Sequence, residues 1–334
     1  IANSFFDLYS QLEFLGEGLS GFTTFKHFCG FHGIFEDKSD STSPIERLVG
    51  VKGLPLLQER LARLTYITTK KEAGLKLPDK VYSISEVEMT VTQSKLYDKL
   101  KKELVVEIEQ ILSKPTTTNK AVTINHILTR LLRLAQITSG HIKWDEINVE
   151  QIPGGNPKIK ELYRLLKEEV FVNPLSKCII WCTFIEDMRI ISKTFELLDI
   201  KHAGYHRVIH EKYRYRDSFS AIKAFNCDPN IKVLVANPAS AAEGLNIVGY
   251  DITNEKTSKT YTSHVIYFSS NWSMIQRSQS EDRAHRRGTR TNVHIIDLVV
   301  PGTIDEDIRA RVMEKRQIAT MIQDVREILK SLKG

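Results

Sequence analysis

Alternation in the second half of the chain constrains its fold more than any other feature. Short apolar runs at residues 178–182, 231–236, 264–269 and 293–300 are separated by stretches with helical spacing at 158–170, 186–198, 207–225, 273–287 and 304–332. A run that is apolar on both faces stays a strand only inside a sheet covered on both sides. Strands alternating with helices therefore predict an α/β domain, a parallel sheet with helices on both faces. Right-handed crossovers then gather the strand ends and their loops along one edge, where ligands bind in such folds.

The stretch predicted as a helix over 273–287 carries the most chemistry. Gln279, Arg283 and Arg286 are spaced i, i+4, i+7, which places an amide and two guanidiniums on one face. Gly288 follows, a residue suited to the left-handed conformation that ends helices. Two guanidiniums held on one face suit a polyphosphate, because their forks match phosphate oxygens and never lose their charge. The alternative is a solvated basic face with Asp282 and Arg286 as an i,i+4 pair.

Upstream the pattern is mainly helical. Phe5, Leu8, Leu12 and Leu15 give an amphipathic helix over 1–15. Residues 22–35 are rich in Phe and hold His27, Cys29 and His32, whose spacing matches no zinc pattern and reads as packing aromatics. Gly53-Leu54-Pro55 opens a helix to 64, and residues 81–91 alternate loosely, as in a strand. Helices over 93–112 and 124–137 are expected to form a bundle attached to the sheet domain. Asp145-Glu146 follows Lys143 and Trp144 instead of a buried strand, so it reads as a surface loop. Gly154-Gly155-Asn156-Pro157 marks a boundary, and the polar residues 250–262 read as a loop between sheet elements. The expected division is 1–52, 53–157, 158–302 and 303–334.

Composition narrows the partners. The 334 residues carry a net charge of +6, with basic clusters at 207–216 and 277–290, which biases the chain toward a polyanion. No run of about eighteen apolar residues and no signal-peptide pattern occurs. Cys29, Cys178, Cys182 and Cys227 include no C-x-x-C pair and read as reduced thiols. His206 and His210 share the spacing of a zinc-protease pair, but Arg207 stands where the glutamate belongs, so no metal site is expected.

Two further elements accompany the arginine helix. The run 233–236 leads into Ala239-Ser240-Ala241-Ala242-Glu243-Gly244, small residues that let backbone approach a ligand. The run 265–268 leads into Ser269-Ser270-Asn271-Trp272-Ser273. Together these residues resemble the second RecA-like lobe of superfamily 2 helicase-type ATPases, and more narrowly the Swi/Snf-type double-stranded DNA translocases. Gln279, Arg283, His285, Arg286 and Gly288 match the motif Q-x-x-x-R-x-H-R-x-G. Ser240, Gly244 and Asn246 match the small-residue G-x-N motif before it, and Asn271-Trp272-Ser273 the N-W-S element. Thr183 and Phe184 close the motif at 178–184, and Gly302-Thr303 with Glu306 follow the last strand as in that family. Ile1 to Ser4, Thr69-Lys70-Lys71, Leu77-Pro78 and 131–134 extend the likeness upstream, and the wording is similar to bacterial or phage members. Ala241, Ala242, Glu243 and Thr289 depart from the family's usual residues.

The resemblance implies a RecA-like parallel lobe preceded by a mostly helical inter-lobe and insertion region. It implies that ATP sits between this lobe and a first RecA-like lobe of the same parent chain, which holds most of the Mg2+ and triphosphate contacts. Arg283 and Arg286 are then arginine fingers; Gln279, Glu243, Gly244 and Asn246 face the nucleotide. Thr183, Arg207, Lys212, Ser240, Asn271 and Trp272 are the implied double-stranded DNA contacts. Arg207 and Lys212 are otherwise a solvated face, and Trp272 otherwise a core residue. No G-K-[ST] phosphate loop and no strand followed by a D-E-x-x box occurs in the sequence. The chain also starts at Ile1 within a predicted helix. The expectation is therefore a C-terminal half, monomeric, off the membrane and unable to hydrolyse ATP unaided. Its setting would be DNA in the cytoplasm of a bacterial or phage-infected cell, or the nucleus of a eukaryotic one. The alternatives are a strand-separating helicase or restriction-type motor, and a non-catalytic module binding nucleic acid or a partner.

Overall fold

The computed structural model describes residues 6–36, 47–64, 74–113, 120–143, 148–206, 209, 214–239, 246–254 and 258–313. They form two compact units, divided between Lys76 and Leu77.

In the first unit, α1 (Asp7–Leu15) turns Leu8 and Leu12 inward, as its spacing predicts. Helix α2 (Phe25–His32) is capped by Thr24, which accepts from the His27 amide. The hairpin of β1 (Gly33–Glu36) and β2 (Arg47–Val51) is antiparallel, and α3 (Leu54–Leu64) follows. Leu8, Leu12, Phe28 and Leu57 make the core, with Phe6, Tyr9 and Phe22 packed against it. The histidines here serve local bonds. His27 Nδ1 lies 3.2 Å from Thr23 Oγ1, and His32 Nδ1 lies 3.0 Å from the Lys52 carbonyl.

The second unit opens on β3 (Lys80–Glu86), then α4 (Val91–Ser113) and α5 (Lys120–Thr138). Arg130 pairs with Glu103 while His126 contacts Glu107, so α4 and α5 run antiparallel. The short pair β4 (His141–Lys143) and β5 (Val149–Gln151) leads to α6 (Pro157–Leu165), which Asn156 caps and whose last turn widens through residues 166–170. Strand β6 (Ser176–Trp181), α7 (Ile185–Leu197), β7 (His202–Ala203), α8 (Ser218–Cys227), β8 (Val233–Ala236), β9 (Tyr261–Tyr267), α9 (Met274–Ala284), β10 (Val293–Val299) and α10 (Ile304–Met313) complete it.

The six strands lie in the order β3-β10-β9-β6-β8-β7, all parallel. Every residue of β6 and β8 is buried, as continuous apolar runs require. One face packs against α6 and α7 through Leu162, Met188, Ile191 and Phe195. The other packs against α8 and α9 through Ala221, Phe225 and Ala284. The predicted two-faced parallel lobe is thus present. The predicted bundle is present too: α4, α5 and α10 share a second core of Leu104, Ile108, Ile127, Leu131, Ile304 and Ile308.

Strand β6 hands its chain to α7 on one face, while its neighbour β9 hands its chain to α9 on the other. Such a divergence of connections opens a crevice at the carboxyl ends of the two strands. Some elements differ from the sequence reading, two of them away from the crevice. The helix expected over 207–225 begins only at Ser218, where Asp217 accepts from the Ser220 amide; Arg214 upstream bridges Gly204 in extended backbone. Residues 80–86, read only as loosely strand-like, form a full parallel edge strand beside β10.

Candidate nucleotide and nucleic-acid site

Helix α9 starts at the crevice. Ser273 caps it by accepting from the Gln276 amide, and Asn271 Oδ1 accepts from the Ser273 amide, so the N-W-S element is a capping turn. The helix ends at Ala284, three residues before the predicted end at Arg287. Thr289 explains the stop: its hydroxyl lies 3.0 Å from the Ala284 carbonyl and accepts from the Arg286 amide at 2.8 Å. His285 Nε2 meets the Pro78 carbonyl at 2.5 Å, which draws the chain off the helix axis. Gly288 sits at φ +97°, and a Cβ there would lie 2.2 Å from Tyr250 Oη. Only glycine fits that turn without strain.

Gln279 and Arg283 therefore share a helix face, while Arg286 projects from the turn beyond it. Gln279 and Arg286 are exposed and Arg283 is half-buried. The Arg283 guanidinium is held below its ordinary value, first by burial and then by the charge of Arg286. The two guanidiniums are thus electrostatic neighbours although they do not share a helix. The Ile247 amide donates to the Arg283 carbonyl at 3.0 Å, which ties the exit of the small-residue motif to this helix.

A cluster that sequence reasoning missed fixes α9 to the sheet. Buried Arg277 donates from Nε to Glu281 at 2.7 Å and from both terminal nitrogens to Asp297, at 2.5 and 3.1 Å. Its guanidinium lies 3.5 Å from the centre of the Tyr267 ring. Burial opposes the Arg277 charge, yet Tyr267, Asp297 and Glu281 hold its affinity for the proton above the ordinary value. Glu281 also accepts from Lys80 Nζ at 3.0 Å and Tyr82 Oη at 2.7 Å. A signal for this existed: Asp297 is a carboxylate inside the apolar run 293–300, and a buried carboxylate needs a partner.

A second buried chain of polar groups reaches the crevice. Ser269 Oγ donates to Asp187 at 2.5 Å and accepts from the Thr183 amide at 2.8 Å. Thr183 Oγ1 donates to the Ser269 carbonyl at 3.1 Å, and Asn237 Nδ2 donates to the Thr183 carbonyl at 3.0 Å. Behind Asp187 stands His141, with Nδ1 3.3 Å from Oδ1 and both residues almost wholly buried. Burial pushes the Asp187 carboxyl up to about 7 and the His141 imidazole down to about 4. Both shifts oppose an ion pair, since burial favours the uncharged form of each partner.

The structure thus brings Thr183 and Asn271 together at the crevice, where both line one cleft with Ser269 and Arg277. Trp272 is half-buried and packs against the core shared by α4, α5 and α10. The backbone carbonyl of Asn246 accepts from Asn226 Nδ2 at 2.8 Å. Arg207, Lys212, Ser240, Glu243 and Gly244 lie outside the described residues, as do Asp145 and Glu146. No helix among the described residues is long and apolar enough to cross a membrane.

No family model matches the chain. It is 24% identical over 327 residues to an uncharacterized ATP-dependent helicase of Mycoplasma pneumoniae, covering 97% of this chain and 27% of that protein. It is 23% identical over 331 residues to a putative ATP-dependent helicase/translocase of Bacillus subtilis, covering 96% of this chain and 31% of that one. The chain thus spans less than a third of the length of these relatives. Among solved structures, the SWI2/SNF2 ATPase C-terminal domain of Sulfolobus solfataricus superposes with a TM-score of 0.52 at 19% identity, over 76% of this chain and 98% of that one. The C-terminal part of the Fun30 ATPase domain gives 0.51 at 19%, over 71% and 90%. The Sulfolobus solfataricus SWI2/SNF2 ATPase core in complex with double-stranded DNA gives 0.51 at 22%, over 91% and 56%.

Proposed function

We propose, for a chain that belongs by sequence and fold with the Swi/Snf-type superfamily 2 helicase-like ATPases, the role of C-terminal lobe in an ATP-dependent double-stranded DNA translocase or remodeller. One observation carries this reading: half-buried Arg283 stands in the last turn of α9 and exposed Arg286 follows on the turn after it, so two like charges that repel each other stand at the end of the helix that begins at the crevice. An anion arriving there relieves that repulsion, so it gains more than at an ordinary surface arginine.

In the parent protein Arg283 and Arg286 approach the transferring γ-phosphoryl group of ATP and stabilise the charge that develops on it. Such groups are worth about 10³–10⁵ in rate. Gln279, exposed one turn before Arg283, orients the nucleotide or the arginines. The phosphate-binding loop and the carboxylates for Mg2+ belong to a first lobe, so this chain supplies only the opposing wall of the cleft. Thr183 and Asn271, at the carboxyl ends of β6 and β9, contact DNA phosphates, joined by Arg207, Lys212 and Ser240. The structure of the Sulfolobus relative bound to duplex DNA supports that partner. Contacts to phosphate hold the duplex without reading its sequence.

ATP turnover with and without duplex DNA tests the reading, on this chain alone and on the parent protein with its first lobe. The chain alone is expected to be silent. The parent is expected to turn over faster with duplex DNA, and Arg286→Ala to lower that rate by about 10³ or more. Turnover by the chain alone, or an unaffected Arg286→Ala parent, overturns the proposal. Strand displacement by the parent would assign it to the strand-separating helicases. Weaker DNA binding with intact turnover in Arg283→Glu would make these residues part of a binding module.

A further inference from the structure

The cluster around Arg277 connects the proposed arginine fingers to the segment by which the chain enters the second unit. That segment, residues 77–86, meets α9 and the turn after it repeatedly. Lys80 Nζ reaches Glu281 at 3.0 Å and Asp282 at 3.3 Å. Tyr82 Oη donates to Glu281 at 2.7 Å. The Pro78 carbonyl meets His285 Nε2 at 2.5 Å, and the Asp79 amide donates to Asn292 Oδ1 at 3.0 Å. Glu281 then passes the connection inward to Arg277, and Arg277 to Asp297 on β10. Arg309 of α10 also reaches Asp297, at 3.3 Å. Glu281 carries its charge despite burial, because Arg277 and Lys80 offset the desolvation.

We propose that Arg277, Glu281, Lys80 and Tyr82 are positioning residues that set where Arg283 stands, with β3 as the reference against which the finger helix is held. None of the four is placed against the nucleotide; all act through the axis and height of α9. Their geometry suits that task. The bidentate Arg277–Asp297 pair fixes α9 about one and two-thirds turns before Arg283, and the Glu281 contacts fix it about half a turn before. Placing them on the segment that enters the unit makes finger position follow the path of that segment. A misplacement of about 1 Å costs on the order of 10² in rate where a reacting geometry is strict.

The inference rests on the finger reading of Arg283, so its test is run in the parent protein beside Arg283→Ala. Lys80→Met and Tyr82→Phe remove peripheral contacts; Arg277→Lys removes the bidentate fork. Each is expected to lower kcat by about tenfold to 10² with KM for ATP close to that of the parent; the thermal midpoint stays close for Lys80→Met and Tyr82→Phe and falls for Arg277→Lys, which disturbs a buried pair. The decisive readout is coupling. In the Arg283→Ala background Lys80→Met is expected to cause no further loss, since both act through one guanidinium. Full additivity of the two losses, or wild-type kcat in Lys80→Met and Tyr82→Phe, overturns the positioning role. Should Arg277→Lys fail to fold, the two peripheral variants still decide. If Arg283→Ala itself turns over normally, the finger reading has failed, which is a different result from a silent Arg283→Ala beside unimpaired Lys80→Met.

Discussion

Burial at Asp187 and His141 makes two opposed contributions to stability. The folded chain binds a proton at Asp187 more tightly than the unfolded one, with the carboxyl moved from 3.8 up to about 7. Its contribution is therefore full at low pH and is lost as pH rises across that window. His141, moved from 6.5 down to about 4, contributes above its ordinary value and is lost as pH falls. Between about pH 4 and 6.5 the two largely cancel. Replacing Asp187 by Asn removes one side of that balance. The difference in unfolding free energy between parent chain and Asp187→Asn is expected to shrink as pH rises from 4 to 7, by up to about 1.4 kcal/mol per unit. Urea unfolding at several pH values reads this directly, and a difference that does not change with pH would mean that Asp187 titrates like an exposed carboxylate. The same residues show what a sequence hides. Asp187 lies one residue after Glu186 in a polar opening to α7, and nothing in its spacing announces that it is wholly buried beneath Ser269 and Thr183.

Elements were legible where one physical rule governs them. Strands β6, β8, β9 and β10 stand out by their largely apolar stretches because both their faces are covered, although β9 carries Thr262, Ser263 and His264 in its first half, and their ends fall within a few residues of expectation. Strand β3 was harder to see, since Val81, Tyr82 and Ile84 on this edge remain more than a third exposed and the run lacks a clean pattern. The end of α9 was misplaced for a local reason. Ala284, His285 and Arg286 are compatible with helix, and the stop comes from contacts distant in sequence or beyond the helix: Thr289 folding back onto the Ala284 carbonyl, and His285 meeting Pro78. Helix α8 shows the same dependence at its other end. Lys177 on β6 donates to the carbonyls of Phe225 and Asp228 and closes the last turn of α8. Burial, and then the charge of Lys232, bring the Lys177 amine down to about 7 from 10.5. The unfolded chain thus holds a proton that the folded chain gives up, and stability from this group rises between those values. Lys177→Met is expected to cost about 1–3 kcal/mol by removing its ammonium from both carbonyls, of which, among the described residues, only Asp228 keeps a second donor, the Ile231 amide at 3.2 Å. Its cost should grow as pH rises from 7 to 9, measured by chemical unfolding; a cost that falls over that range would contradict the buried amine.

At the scale of the whole molecule, two kinds of basic residue are proposed to do different work, and salt separates them. Arg207 and Lys212 are proposed to neutralise DNA phosphates. Each such contact releases counterions, so each adds about one to the slope of log K against log salt concentration. Arg283 and Arg286 are proposed to meet the nucleotide instead, at the turn where α9 ends and far along the chain from the basic cluster at 207–216. A net charge of +6 contains both sets and cannot tell them apart, which is why composition pointed to a polyanion without choosing one. Duplex binding by the parent protein, titrated from about 50 to 200 mM salt, makes the choice. Arg207→Ala and Lys212→Ala are each expected to flatten the slope by about one while leaving kcat at saturating DNA near that of the parent. Arg286→Ala is expected to leave the slope alone and remove turnover. A slope flattened by Arg286→Ala would transfer that residue to the DNA surface, and the opposing wall of the nucleotide cleft would then rest on Arg283 alone.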